Sequence, residues 1–185
     1  MKKEKRQGVV VFFTGLSGAG KSTIAQILSR LLEKQGRNVT LLDGDMVRQY
    51  LSNELGYSRE DRNTNVKRIG FVAGEIAKHG GIAICAAIAP YAEARDDNRA
   101  RIERLGTYFE IFIKTPIDIC EERDVKGHYK QARAGLLKNF TGIDDPYEEP
   151  KSADLVIETT KMSSEEAAEK VYQMLVSHDI ISEST

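Results

Sequence analysis

The sequence predicts an α/β fold, a mostly parallel five-stranded sheet with helices on both faces, and three observations predict it. Short apolar runs rich in β-branched and aromatic residues alternate with longer stretches of helical periodicity along the chain. The first run, Val9-Val10-Val11-Phe12-Phe13, is apolar at every position, as in a parallel strand covered on both faces. Between it and the next helical stretch stands Gly15-Leu16-Ser17-Gly18-Ala19-Gly20-Lys21-Ser22, which fills every fixed position of the phosphate-loop pattern G-x-x-x-x-G-K-[ST] at a strand-to-helix junction.

Downstream of that loop, Ile24, Ile27, Leu28 and Leu31 recur at helical spacing, and Gly36 offers a stop. Val39 to Leu42 is the second strand, delivering Asp43-Gly44-Asp45 to its carboxyl end, where open α/β sheets bind ligands. An Asp-Gly turn also arises for purely local reasons. Met46 to Asp61 holds a short helical piece, after which Ser58 caps a helix with Val66, Ile69, Val72, Ala73 and Ile76 as its buried stripe. Arg62, Asn65, Lys67 and Arg68, on its early turns, read by themselves as a solvated face. Gly80-Gly81 closes this helix. Ile82 to Ala89 is a third strand of small residues that stops at Pro90, Tyr91 to Leu105 a charged helix, and Tyr108 to Lys114 an alternating fourth strand. Thr115-Pro116 supplies an N-cap and a first helical proline for a helix toward Arg123. Gly142 to Pro150 is an irregular loop and Asp154 to Glu158 a fifth strand. Ser163 and Glu166 have capping-box spacing before a closing helix with Ala168, Val171, Tyr172 and Leu175 on one face.

Residues 123–138 differ in character, with Arg123, Lys126, Lys130, Arg133 and Lys138 set against Asp124 alone and few large apolar side chains. A stretch that cannot bury itself is expected to be exposed and mobile. Beside a phosphate site it reads as a lid that closes over the transferring group, or more plainly as a basic surface helix.

Composition narrows the classes further. With 185 residues, 41% of them hydrophobic, and no linker or repeat, residues 1–185 read as one domain behind a charged tail, 1–7. A net charge of −1 gives no bulk attraction to nucleic acid or to anionic membrane. No apolar run approaches the roughly 18 residues that cross a bilayer, and the charged opening lacks the apolar segment of a secretory signal. Cys85 and Cys120, far apart, read as buried free thiols in a reducing cytoplasm.

The loop points to phosphate chemistry. Its glycines let backbone N–H groups turn toward phosphate oxygens, Lys21 reaches the β- and γ-phosphates, and the Ser22 hydroxyl goes to Mg²⁺. Kinases, nucleotide switches and motor ATPases share that loop. A guanine-reading N-K-x-D is absent, since Lys138-Asn139-Phe140-Thr141 only scrambles its letters, and this disfavours a GTP switch.

A larger set of residues resembles one family over almost the whole chain. It comprises Phe13 to Thr23; Asp43-Gly44-Asp45 with Arg48; Leu55-Gly56-Tyr57-Ser58 leading to Asp61-Arg62 and Asn65; and Pro90-Tyr91 with Arg95. It continues with Arg123-Asp124, Lys126-Gly127, Tyr129, Ala132 to Gly135, and the highly specific string Lys138 to Glu148. These residues resemble adenylylsulfate kinase, which transfers the γ-phosphate of MgATP to the 3′-hydroxyl of adenosine 5′-phosphosulfate in sulfate activation.

The resemblance implies a three-layer P-loop NTPase fold with a mobile lid at 123–138. It implies that Gly15, Ser17, Gly18, Ala19, Gly20, Lys21, Ser22 and Thr23 hold ATP, with Lys126 and Arg133 near its phosphates and Arg123 on its adenine. Lys21, Asp45 and Asp43 would be catalytic: Asp45 accepts or orients the 3′-hydroxyl, while Ser22 holds Mg²⁺, with Asp43 acting through water. Arg48, Arg62 and Asn65 would grip the acceptor, Tyr57 and Phe140 would stack on its adenine, and Lys138 with the backbone of Ile88 and Ala89 would complete the pocket. A homodimer and an association with ATP sulfurylase are also implied.

The chain departs from the family at Ala89 (commonly Ser), Tyr57 (Phe), Val125 (Pro), His128 (Leu) and Phe71 (Glu). A kinase for another nucleoside or metabolite, and a nucleotide-binding module that has lost catalysis, are the alternatives. Intact Lys21, Ser22, Asp43 and Asp45 argue against the last.

Overall fold

The computed structural model describes residues 8–182, so the charged tail 1–7 lies outside the described residues. Five strands, β1 (Val9–Thr14), β2 (Val39–Asp43), β3 (Ile82–Ala86), β4 (Thr107–Lys114) and β5 (Leu155–Glu158), form one sheet in the order β2-β3-β1-β4-β5. Every pairing in it is parallel, so all the carboxyl ends meet along one edge. β1 lies between β3 and β4 and is buried at each of its positions, as its uniform apolar run requires.

Seven helices cover the sheet among the described residues: α1 (Lys21–Lys34), α2 (Gly44–Tyr50), α3 (Arg59–Lys78), α4 (Ala92–Ile102), α5 (Ile117–Arg123), α6 (His128–Arg133) and α7 (Ser164–Ser177). Alternate residues of β1 choose the layer. Val9, Val11 and Phe13 pack with Ile24, Leu28 and Leu32 of α1 and with Ala168, Val171 and Leu175 of α7. Val10 and Phe12 pack with Val66, Ile69 and Ala73 of α3 and with Ala94 and Ile102 of α4. That is the expected three-layer arrangement. Gly70 lets α3 approach α4 closely, because a Cβ there would run into the Asn98 side chain, whose amide donates to the Val66 carbonyl at 2.9 Å.

Several expectations change on contact with tertiary structure. β3 stops at Ala86, short of the predicted Ala89, because Ala89 takes a φ of 45° and turns the chain away from the sheet. β4 does not alternate between core and solvent: Tyr108 through Ile113 are all buried, since helices cover both of its faces. Pro116 is the N-cap of α5 rather than its first helical residue, and the Thr115 hydroxyl donates instead to the Ala19 carbonyl at 2.9 Å. Arg62 and Asn65 are not a solvated face but are 7% and 6% exposed, because the chain after Leu137 packs over the start of α3. Residues 123–138, by contrast, are largely exposed as expected, with Val125 and Leu136 open to solvent; Tyr129 and Ala132 are buried, and the Tyr129 hydroxyl donates to the Ser17 carbonyl at 2.9 Å.

Candidate active site

The phosphate loop follows β1 and is shaped by what surrounds it. Gly15 has a φ of 148°, and a Cβ there would stand 2.5 Å from the Ile113 carbonyl oxygen, so the position admits no side chain. Gly20, at a φ of 106°, turns the chain into α1. The first N–H groups of this 14-residue helix have no carbonyl one turn before them, which leaves positive potential facing the loop. Lys21 is buried, and its ammonium donates to the carbonyls of Gly15 at 2.9 Å and Leu16 at 2.7 Å. Burial pushes its pKa down to about 8, against the pull of Asp43 and Asp45. From α5, Arg123 donates to the Gly18 carbonyl at 3.1 Å, pinning the outer side of the loop.

Asp43 ends β2 and caps α2. Its Oδ1 accepts from the Asp45 N–H at 3.0 Å, and its Oδ2 accepts from the Ser22 hydroxyl at 2.6 Å. Asp45 therefore sits on the first turn of α2 with its carboxylate open to the cleft, where the Lys126 ammonium meets it. The Ser22–Asp43 oxygen pair is a hard donor set that fits Mg²⁺. No cluster of three or more acidic, His or Cys residues for a metal ion occurs among the described residues. Mg²⁺ is usually held by one or two protein oxygens together with phosphates and waters.

Across the cleft, Arg48 donates to the carbonyls of Leu55 at 3.1 Å and Gly56 at 2.7 Å, and its guanidinium lies 4.8 Å from the Tyr57 ring centre. Arg62 donates to the Tyr57 carbonyl at 3.0 Å and the Asn139 carbonyl at 2.6 Å. Burial lowers its pKa, offset in part by Asp145. Asn65 is buried with its Oδ1 unpartnered. The Phe140 ring packs edge-on against Tyr129 at 4.9 Å. The backbone around it is fixed by Asp144, which accepts from the N–H groups of Asn139 at 2.7 Å and Phe140 at 2.6 Å and is thereby held below the usual carboxylate range.

One cavity of about 930 Å³ joins these parts. Ser17, Gly18, Ala19, Gly20, Lys21, Ser22 and Thr23 line it, as do Asp43, Asp45, Arg123 and Lys126. So do Arg48, Tyr57, Arg62, Asn65, Ile88, Ala89, Lys138 and Phe140. Two expected residues are not in the lining. Gly15 lies beneath the loop with its carbonyl on Lys21. Arg133 pairs instead with the Glu121 carboxylate, with contacts of 2.5 and 3.2 Å. The sequence reading missed Thr159, Met162, Ser163 and Ser164, which bring the end of β5 and the start of α7 to the cavity. Their signal was topological: in an all-parallel sheet, whatever follows a strand's carboxyl end stands at the ligand edge.

The adenylylsulphate kinase family model matches residues 7–158. An adenylyl-sulfate kinase of Synechococcus sp. (strain JA-3-3Ab) is 50% identical over 173 residues, 94% of this chain and 97% of the relative. A probable bifunctional SAT/APS kinase of Sorangium cellulosum is 52% identical over 168 residues, 91% of this chain but 28% of that protein. The solved structure of Mycobacterium tuberculosis APS kinase CysC in complex with AMPPNP and APS superposes with a TM-score of 0.88 at 42% identity, covering 91% of this chain and 98% of that one.

Proposed function

This chain belongs to the adenylylsulphate kinase family, and from that premise we propose how its cleft performs the family's reaction. The chain is an ATP-dependent kinase that passes the γ-phosphate of ATP to the 3′-hydroxyl of adenosine 5′-phosphosulfate. The observation that carries the site assignment is the continuity of the cavity, which runs from the phosphate loop past Asp45 to Arg48, Arg62 and Phe140. Two nucleotides meeting end to end in it would bring their reacting oxygens beside Asp45.

ATP lies along the phosphate loop, with Lys21 leaving the Gly15 and Leu16 carbonyls for the β- and γ-phosphates. Lys126 exchanges Asp45 for phosphate oxygen, which frees that carboxylate to orient the 3′-hydroxyl and take its proton. Ser22, with Asp43 through water, would hold Mg²⁺, which when bound would supply positive charge to offset that of the phosphates. Arg48 and Arg62 grip the phosphosulfate through planar guanidinium groups, Asn65 offers its unpartnered oxygen, and Tyr57 and Phe140 bracket the acceptor adenine. Residues 123–138 act as a lid over the phosphates. The arrangement of Arg133 supports no part in this, and Arg123 is better suited to bracing the loop than to stacking on adenine.

The name of the Sorangium relative supports an association with a sulfurylase partner, and two buried free thiols support a cytoplasmic setting. A homodimer completes the proposal; a solution mass of 20.6 kDa would rule it out. Among the described residues no helix is long and apolar enough to cross a membrane. Incubation with MgATP and adenosine 5′-phosphosulfate should give equimolar ADP and 3′-phosphorylated product. Omitting Mg²⁺ should abolish turnover, and ADP formation independent of the acceptor would refute the proposed transfer.

A further inference from the structure

We infer that Arg95 is a positioning residue for the acceptor pocket, one guanidinium that fixes two of its walls by tying the Ile88–Pro90 turn to the end of the 140–148 loop. The inference rests on the reading above of which side of the cleft takes adenosine 5′-phosphosulfate. Arg95 stands in the first turns of α4, is 2% exposed and does not line the cavity, so it acts only through what it holds. One terminal nitrogen donates to the Ala89 carbonyl at 2.6 Å and the other to the Glu148 carbonyl at 2.6 Å. Its Nε faces the buried Glu110 carboxylate of β4 at 3.7 Å, which offsets the charge. A planar guanidinium can address three groups in fixed directions at once; an ammonium on a flexible stem cannot.

The first of these carbonyls belongs to a segment that would not hold its shape unaided. Ala89 carries a Cβ at a φ of 45°, a conformation that persists only where neighbours enforce it. It borders the cavity together with Ile88. Glu148 closes the loop that begins at Phe140, and its own N–H donates to the Pro90 carbonyl at 2.8 Å, so turn and loop meet beside Arg95. The phosphate loop has anchors on this turn that do not involve Arg95: the Thr14 hydroxyl donates to the Ile88 carbonyl at 2.6 Å and the Gly15 N–H to the same oxygen at 3.3 Å. The loop is braced besides from elements that Arg95 does not touch, by Tyr129 on the Ser17 carbonyl and Arg123 on the Gly18 carbonyl, so loss of the Arg95 fork should loosen the acceptor side more than the donor side.

Steady-state kinetics on the full chain test this. Arg95→Lys should raise the acceptor KM by about tenfold or more, as small misplacements of binding groups do, with the ATP KM changed less than about twofold. Should Arg95→Lys fail to fold, the pair Arg95→Met with Glu110→Met removes both buried charges together and should show the same split. An equal rise in both KM values, or an unchanged acceptor KM in either folded variant, would overturn the inference. Phe140→Ala separates this from the underlying reading: it should raise the acceptor KM whatever Arg95 does. If it does not, the assignment of the acceptor side fails, and the inference with it.

Discussion

At Lys21, burial and ligand charge compete for one proton. Desolvation brings the ammonium down to about 8, and the nearby carboxylates of Asp43 and Asp45 offset it only in part. Bound polyphosphate favours the charged form, so the complex keeps this proton to a higher pH than the free protein does. Below about pH 8 both are protonated and affinity is flat; above it, binding must take up a proton and affinity falls by up to about tenfold per unit. Calorimetric titration of ATP from pH 7 to 9.5 should show that break and a matching proton uptake, and Lys21→Met should remove both. A wild-type profile as flat as the variant's would show that this ammonium does not govern the pH dependence. The phosphate-loop residues were legible because the motif's chemistry is local. Arg62 and Arg133 were not told apart by sequence: both are arginines in basic stretches, and only the packing turned one into the cleft and the other onto Glu121.

Among the elements, α7 shows how far local chemistry reaches. Ser163 accepts from the Glu166 N–H at 3.1 Å while the Glu166 carboxylate accepts from the Ser163 N–H at 2.7 Å, the reciprocal cap that the spacing predicts. Accepting that bond also lowers the pKa of the Glu166 carboxyl. Ser163→Ala should cost about 1 kcal/mol, seen as a lower urea midpoint with unchanged slope. A midpoint equal to wild type would mean that α7 is held by its packing on α1 and the sheet alone. β4 gave the opposite lesson. Its alternation of Tyr108, Glu110 and Lys114 with apolar residues resembles a half-solvated strand, yet Glu110 is buried opposite Arg95 and the Arg99 guanidinium lies 4.9 Å from the Tyr108 ring centre. A polar residue in a strand marks either solvent or a buried partner, and the partner is supplied by another element.

At the scale of the molecule, function depends on the sheet edge that gathers β1, β2, β3 and β5 ends with the basic segment after α5 around one cavity. A cleft built from so many separate segments gains stability when filled. A ligand at 100-fold its Kd adds about 2.7 kcal/mol, roughly 5–10 °C for a chain of this size. A non-hydrolysable ATP analogue with Mg²⁺ and the acceptor should each raise Tm, and the two together should raise it further. If either ligand cancelled the other's shift, they would be competing for one position, and the end-to-end arrangement would be wrong.

Sequence by itself determined the α/β class, the phosphate loop, the caps at Ser58 and Ser163, and the family resemblance that named the reaction. These rest on periodicity, turn chemistry and motifs, all interactions within a few residues or strings of letters. Tertiary structure decided that β3 ends early at a strained Ala89, that Arg62 and Asn65 are buried, that Arg133 pairs with Glu121, and that Arg95, which holds the Ala89 carbonyl, reaches Glu148 across 53 residues of chain. Each of these is a meeting of distant segments in a close-packed interior, where burial and hydrogen-bond partners are set by neighbours that no local pattern contains.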